Sequence, residues 1–428
     1  MAQIAIREYD AKRMFAEYSS SPYIGYLIES EEDMVLFSKK TDNTSSWVIK
    51  PDQLFWKRWK YGLLWVNLNN ANICNWWKDH FQKQTMIGKQ VGKLTTFLIE
   101  PFVPHREEYY IAIKTEREYD VIYFSRAWGI EVEENWETVK ELRIPLFDSV
   151  IARHEAIQNF SEKGNGLLHT SQWQIRENLQ KLDIADSRVL DFISRLYSFF
   201  REYGFAYLEV NPFTFDSTGN VICLDMVARV DDSEEFRQRK HWENLVFPHP
   251  FGPEKTKREQ YIEKLDAETG ASLKFRILNP MGRIWLLTSG GGASVIIADT
   301  LADLGFATEI GNYGECSGNP DRENTRAYTA TLLDTMLEND IVWKYLVIAG
   351  AIANFTHIDK TFAGIIDAFR DRIEDMKKQD IRILVRRGGI NDTRGLELMK
   401  NACEELGLPC EIADGSVYMT DILKKIIL

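Results

Sequence analysis

Three consecutive glycines, Gly290, Gly291 and Gly292, separate the apolar run Ile284–Leu287 from a segment, Ala293–Leu304, whose apolar residues recur with helical spacing. A strand, a tight turn and a helix start in that order leave backbone N–H groups unsatisfied at the positive end of a helix dipole. With no Cβ atoms in the way, an anion can come close to that backbone. The motif matches neither G-x-G-x-x-G nor the Walker pattern, and taken alone it reads most simply as a βα turn without a ligand. Its neighbours change the balance. Ala353-Asn-Phe-Thr-His357 and Arg386-Arg-Gly-Gly389 each follow a strand-like run, and Asn312-Tyr-Gly-Glu-Cys-Ser-Gly318 follows another. An amide, a hydroxyl, guanidinium forks and free N–H groups together suit a small molecule carrying several carboxylates.

The N-terminal half carries a different chemistry. Lys50 ends a short β run and is followed by Lys57, Arg58 and Lys60, a set that suits a polyphosphate or, equally, a solvated basic loop. Tyr207-Leu-Glu-Val-Asn-Pro212 and Val221-Ile-Cys-Leu-Asp225 read as two strands around a polar turn. Paired as a hairpin, they bring Glu209, Asn211 and Asp225 together as oxygen ligands for Mg²⁺; a solvent-facing strand edge is the alternative. Pro101 and Pro104 punctuate a connector between two strands, against which a planar base could lie. No nucleophile stands out. The seven histidines are scattered, and a structural role suits His105 and His357 near the candidate loops.

These residues need a scaffold. Helical patterning covers Ala2–Tyr18, Asn72–Thr85 and Ser187–Glu202, and strands are expected at Tyr26–Ile28, Met34–Phe37 and Tyr119–Phe124. Three prolines within Phe247–Pro253 mark a boundary. Beyond it, strands at Arg283–Ser289, Ala307–Ile310, Tyr345–Gly350, Ile381–Val385 and Cys410–Ala413 alternate with helices such as Thr361–Met376 and Asp392–Leu406. That alternation predicts an α/β domain with a doubly wound parallel sheet, whose ligands bind beyond the carboxyl ends of the strands. The expected division is 1–246, a linker at 247–278, and 279–428.

At 428 residues the chain has room for two or three domains, and its 44% hydrophobic and 27% charged content is that of a globular protein. A net charge of −12 argues against a general nucleic-acid or anionic-membrane binder. Five cysteines without metal-ligand spacing point to reduced thiols and a cytoplasmic setting. The charged N-terminal stretch predicts no signal peptide, and no apolar run reaches membrane-spanning length.

Ile6-Arg-Glu-Tyr-Asp-Ala-Lys-Arg-Met-Phe-Ala16 resembles the opening of succinyl-CoA synthetase β-type chains. More specific are Lys50-Pro-Asp-Gln, Phe97-Leu-Ile-Glu-Pro-Phe-Val-Pro-His105, Tyr207–Pro212 and Leu265-Asp-Ala-Glu-Thr-Gly-Ala-Ser272. With Gly290–Ser294, Asn312-Tyr-Gly-Glu, Ile352-Ala-Asn-Phe-Thr356 and Val385-Arg-Arg-Gly-Gly389, they resemble the ATP-citrate lyase family. The similarity is to the part that forms the N-terminal half of the single-chain enzyme and a separate subunit in two-chain versions, and it runs along essentially the whole chain.

The resemblance implies an ATP-grasp domain followed by a flavodoxin-like citrate-binding domain. It places ATP contacts on Lys50, Arg58, Pro101, Val103 and Glu108, and Mg²⁺ near Asn211 and Asp225. A further metal-contact loop falls on Asp266, Thr269 and Ala271, with Thr269 replacing a serine. Citrate contacts fall on Gly290, Gly291, Gly292, Ser294, Ser317, Gly318, Asn354, Phe355, Thr356 and Arg387. The implied reaction turns MgATP, citrate and CoA into acetyl-CoA, oxaloacetate, ADP and phosphate through a phosphohistidine, citryl phosphate and citryl-CoA. The phosphorylated histidine, most of the CoA site and the lyase module belong to a partner subunit, so this chain carries no catalytic residue of its own and works in a hetero-oligomer. A synthetase subunit without lyase activity, or a non-catalytic citrate-binding scaffold, is the alternative. One departure stands out. Trp59, Trp65 and Trp128 replace glycines of the family, and Trp56 replaces a small or basic residue, so collision with the nucleotide or a buckled loop is expected.

Overall fold

A computed structural model of the chain describes residues 3–42, 44–55, 57–126, 136–146, 182 and 184–427. Two compact units are present, Met1–Pro253 and Glu254–Leu428.

In the first unit the described strands begin with β1 (Gln3–Ile6), β2 (Tyr26–Ile28), β3 (Trp47–Pro51), β4 (Trp65–Leu68), β5 (Gln84–Ile87) and β6 (Gln90–Lys93). They continue with β7 (Phe97–Pro101), β8 (Tyr109–Thr115), β9 (Tyr119–Ser125), β10 (Lys140–Pro145), β11 (Phe205–Phe215), β12 (Val221–Cys223) and β13 (Met226–Asp231). Helices α1 (Glu8–Tyr18), α2 (Glu31–Lys40), α3 (Asn70–His80) and α4 (Ser187–Glu202) accompany them. The larger sheet runs β1-β13-β11-β8-β9-β10, with β12 on β11, and every pair is antiparallel. Helices α1 and α4 bury Met14, Phe15, Phe192, Leu196 and Phe199 against Ile111, Ile113, Leu208 and Val210 of that sheet. The smaller sheet runs β2-β7-β3-β4, and α2 and α3 close it with Met34, Phe37, Ile73 and Trp77.

Met34–Phe37, expected as a strand, lies inside α2. Ser30 Oγ accepts from Asp33 N while Asp33 Oδ2 accepts from Ser30 Oγ, a reciprocal N-terminal cap. Acidic Glu31, Glu32 and Asp33 at one end and Lys39 and Lys40 at the other complement the helix dipole, so only Met34 and Phe37 turn inward. The N-terminal segment also differs: Gln3–Ile6 forms an edge strand on β13 before α1 begins. Helix α3 stops at His80, where a hairpin of β5 and β6 follows.

The second unit contains β14 (Ser272–Ile277), β15 (Ile284–Ser289), β16 (Asn312–Ser317), β17 (Lys344–His357), β18 (Ile381–Ile390) and β19 (Cys410–Ala413). Its helices include α5 (Lys257–Glu268), α6 (Gly291–Leu301), α7 (Arg322–Met336), α8 (Ile358–Arg370), α9 (Ile373–Lys378) and α10 (Asp392–Leu406). Strands β15-β17-β18-β19 are parallel, and β14 pairs antiparallel with β16. The buried Asn312 side chain binds both Leu286 N (2.7 Å) and Leu286 O (2.9 Å), stitching β16 to β15. Helices α7, α8 and α10 cover one face; α6 and the turn at Asp421–Lys425 cover the other. A parallel sheet needs both faces covered, which accounts for its unbroken apolar strands.

Ala307–Ile310 is a tight turn rather than a strand, and the strand begins at Asn312. Thr361–Met376 is two helices, α8 and α9, parted at Asp371–Arg372. Residues 254–278, expected in a linker, form α5 and β14 of the second unit, and Thr256 and Glu259 make a reciprocal cap at the start of α5. Lys344 is wholly buried, yet its ammonium donates to Met336 O, Asn339 O and Gln379 Oε1. It thereby satisfies carbonyls at the C-terminal end of α7. Lys344→Met should lower unfolding free energy by about 1–3 kcal/mol, because buried acceptors lose their donor. Urea denaturation of the full chain measures this, and an unchanged midpoint would contradict the capping role.

Candidate functional site

In the first unit, both sheets contribute to a cavity of ≈ 1180 Å³. Lys50, Arg58, Pro101, Val103, Glu108, Asn211 and Asp225 all line it, so residues spread over 175 positions converge. Lys50 stands near the end of β3, where its ammonium meets Glu8 Oε1 (2.5 Å) and Leu224 O (2.7 Å). Arg58 directs Nη1 to Glu8 Oε2 and to Asp225 Oδ1 (3.3 Å). Lys12, one turn along α1 from Glu8, joins Glu8 at 2.7 Å and Glu100 at 2.8 Å. Burial would draw the Glu8 carboxyl toward its neutral form, but Lys12, Lys50 and Arg58 outweigh that and hold it well below the usual carboxylate range.

The same cluster starts α1. Asp52 accepts from the backbone N–H groups of Glu8 and Tyr9, each at 2.9 Å, and so supplies the cap that Arg7 does not. Burial, reinforced by Glu8, pushes the Asp52 carboxyl up to about 6.

Several residues of the cavity wall carry orphaned polar atoms. Arg58 Nε and Asn211 Oδ1 are buried without a hydrogen-bond partner among the described residues. Asn211 sits where β11 shifts register between Val210 and Phe213, and its Nδ2 donates to Glu209 Oε1 (3.2 Å) while its backbone N–H binds Asp225 O (3.0 Å). Glu209, Asn211 and Asp225 all line the cavity near that irregularity, with Glu209 bonded to the Asn211 side chain and the Asp225 carboxylate bonded to Arg58. His105 bridges Val103 O (2.7 Å) and Glu108 Oε1 (2.6 Å), which fixes the connector after β7. Trp59 lines the cavity and remains 44% exposed, with Lys60 over its ring; Trp65 is similarly exposed on β4. Lys57 and Gly62 adopt left-handed conformations at the two ends of the turn that carries Trp59. Trp56 and Trp128 lie outside the described residues.

In the second unit, Gly290 follows β15, Ser317 ends β16, and Thr356 and Arg387 lie toward the ends of β17 and β18. Gly290 adopts φ 96°, and α6 starts at Gly291 without a side-chain cap. Arg386 and Arg387 point to opposite faces of β18. Arg386 is spent on Val417 O (2.8 Å), Gly350 O (2.8 Å) and Gly415 O (3.0 Å). Arg387, only 2% exposed, keeps both Nη1 and Nη2 without a partner among the described residues. A Cβ at Gly350 would stand 2.1 Å from Arg387 Nη1 and 2.7 Å from Ser289 O, so the glycine makes room for the guanidinium beside the end of β15. Burial lowers the Arg387 pKa to about 10, which leaves it charged at neutral pH.

The other expected contacts divide. Thr356 is buried and Phe355 is 60% exposed, both within β17, which continues through the segment expected as a loop. The side chain of Asn354 lies outside the described residues. Ser294 is turned inward, and its hydroxyl, shared between Thr288 Oγ1 (2.8 Å) and Gly290 O (3.0 Å), braces the loop. Gly291 and Gly292 open the helix, and Gly292 has free space where a side chain would stand. Gly318 (φ 77°) packs on Ala271. The Asp266–Ala271 loop fits a cation poorly: Asp266 accepts from Leu273 N and from the Lys274 ammonium, and Ala271 N donates to Thr269 Oγ1. Sequence patterns alone did not single out Glu8, Lys12, Glu100 or Glu315. The i, i+4 spacing of Glu8 and Lys12 in α1 was the available signal for the first pair.

A family model described as the ATP-citrate synthase ATP-grasp domain matches residues 2–242, and one described as ATP citrate lyase citrate-binding matches residues 253–428. The chain belongs to the ATP-citrate lyase family. An ATP-citrate synthase alpha chain of Arabidopsis thaliana is 39% identical, covering 100% of this chain and 98% of the relative. The ATP-citrate synthase of Homo sapiens is 38% identical over 88% of this chain, which corresponds to 33% of that longer protein. The structure of ATP citrate lyase from Methanothrix soehngenii in complex with citrate and coenzyme A superposes with a TM-score of 0.81, at 39% identity over 99% of this chain and 98% of that one. Over its whole length the chain thus corresponds to the alpha chain of an ATP-citrate lyase, with a mixed α/β fold and an ATP-grasp domain. Among the described residues no helix is long and apolar enough to cross a membrane.

The Asp52 carboxyl yields a pH test. Its pKa is raised in the fold to about 6, against about 3.9 for an unperturbed aspartate. The folded chain therefore binds the extra proton between those values, and this group's contribution to stability falls as pH rises from about 4 to 6. Asp52→Asn should remove that contribution, so the wild-type minus variant difference should change by up to ~1.4 kcal/mol per pH unit in this window. A pH-independent difference, measured by urea melts, would refute the assignment.

Proposed function

We propose that the first unit binds MgATP and the second binds citrate, and that the chain transfers the terminal phosphoryl group to a histidine of a partner subunit. Phosphorylated citrate then forms on the second unit, and the partner, holding most of the CoA site, carries it through citryl-CoA to acetyl-CoA and oxaloacetate. The observation that carries this reading is Arg387, a buried guanidinium with two unpaired N–H arms beside an uncapped glycine turn. A charge kept out of water without a partner is costly, so a resident anion is the expected complement. Several donors in one place match several carboxylates. The sheet order around β15, with β16 on one side and β17-β18-β19 on the other, supports a flavodoxin-like reading of this unit and a ligand at the strand ends.

For the nucleotide, Lys50 and Arg58 supply charge to the phosphates, and the Pro101–Val103 connector supplies backbone groups to the base. Asn211 and Asp225 would hold Mg²⁺, which shields phosphate charge, and the orphaned Asn211 Oδ1 suits that ion. The partner supplies the histidine and the lyase module; Val295 and Ile296 of α6, with Ile352 and Phe355 of β17, leave exposed apolar side chains on elements that frame the anion site, which supports a protein surface seated there.

A second reading, a citrate-binding subunit with a weakened nucleotide site, is favoured by Trp59, whose indole lines the cavity in place of the family's glycine. The mixed complex decides between them. ATP-dependent phosphorylation of the partner's histidine supports the first reading, and its absence with citrate binding retained supports the second. Trp59→Gly should tighten ATP binding roughly tenfold by calorimetry if the indole obstructs the site, since a backbone approach is restored.

Arg387 gives the sharper test. Arg387→Met removes an unpaired buried charge while preserving volume, so the ligand-free chain should gain about 1–4 kcal/mol in stability. The same variant should lose the thermal shift that citrate gives the wild type. A loss of stability without citrate, or an undiminished citrate shift, would contradict the assignment.

A further inference from the structure

Glu315 is an acid set beside the glycine turn of the second unit's anion site. It lies on β16, and its carboxylate reaches the glycine turn: a Cβ on Gly291 would stand 3.3 Å from Glu315 Oε2. Two hydroxyls orient it, Ser272 Oγ donating to Oε1 at 2.6 Å and Ser317 Oγ to Oε2 at 3.3 Å. Among the described residues no lysine or arginine pairs with it by salt bridge or hydrogen bond. A carboxylate offers about four acceptor positions, and two are used here. Among the described residues no hydrogen bond joins it to the backbone N–H groups at the start of α6.

An unpaired carboxylate in a receptor for carboxylates weakens binding by like-charge repulsion unless the ligand brings it a donor. Arg387, the N–H groups of the α6 start and the Thr356 hydroxyl can all donate to an anion. The Glu315 carboxylate, by contrast, accepts. Building on the citrate reading above, we propose that Glu315 is a specificity residue that accepts a hydrogen bond from the substrate's hydroxyl group and so selects a hydroxy-polycarboxylate over the same polycarboxylate without the hydroxyl. The Ser272 and Ser317 hydroxyls hold the carboxylate toward the Gly291 turn, and the absence of a side chain there leaves the approach open. Discrimination of this kind is strong because the wrong ligand leaves a desolvated acceptor unpaired and adds a repelling charge.

The test compares citrate with propane-1,2,3-tricarboxylate, which differs only by the hydroxyl, by titration calorimetry on the full chain. The wild type should bind citrate on the order of 100-fold more tightly than the deoxy analogue. In Glu315→Ala the ratio should collapse to within about threefold, by loss of citrate affinity together with an equal or tighter grip on the analogue. Glu315→Gln keeps the shape and one acceptor oxygen, so it should give an intermediate ratio and guards against a simple folding defect. Equal binding of both acids by the wild type overturns the proposal and leaves the citrate reading standing. A wild-type preference undiminished in Glu315→Ala also overturns it. Binding of neither acid by the wild type defeats the citrate reading on which it rests. A preference that appears only with Mg²⁺ present would overturn it in favour of metal-bridged recognition.

Discussion

A charge removed from water must find a partner, and that constraint organises both units of this chain. In the first unit it is met internally. Glu8 lies beneath the cavity and takes hydrogen bonds from Lys12, Lys50 and Arg58, so the cations that face the cavity are held in place before any ligand arrives. In the second unit it is deliberately unmet: Arg387 is as buried as its neighbour Arg386, but only Arg386 has its bonds filled by carbonyls. The contrast between adjacent residues of one strand separates a structural arginine from a binding one more clearly than either residue type could.

The two solutions have different mechanical consequences. The Glu8 cluster ties α1, β3, the loop after it and the turn at Leu224–Asp225 into one ionic knot, so the floor of the cavity is fixed by sequence-distant elements. The anion site depends instead on backbone geometry at strand ends. Gly290, Gly318 and Gly389 adopt positive φ values there, and Gly350 leaves the space that Arg387 fills. One site is held by charge and the other by the shape that glycine permits.

Much of this was legible in the sequence. The glycine turn, the Arg386-Arg387 pair and the alternation of strands and helices in the second unit follow from local patterns, because a parallel sheet buried on both faces writes unbroken apolar runs. What patterns missed was non-local or concealed by capping. Met34–Phe37 reads as a strand until Ser30 and Asp33 are seen to start a helix, and the first strand hides in the polar-apolar mixture before Glu8. Glu8 and Lys12 lie within the Ile6–Ala16 motif, but nothing local says that their partners lie 42 and 88 residues away. Nothing local shows that the Ser294 hydroxyl braces the loop through Gly290 O. A residue's type predicts what it can bond, whereas its rotamer decides with whom.

The cap that Asp52 places on α1 belongs to this non-local class. Most helices are started by a neighbour in sequence, so their first turn reports little beyond itself. Here the amide protons of Glu8 and Tyr9 are held by a residue just beyond β3, and they are released only if α1 and that strand part. Their hydrogen exchange therefore follows the opening of the junction between helix and sheet instead of the fraying of a helix end. Two backbone amides thus serve as a built-in clock for the loosening of the floor beneath the cavity.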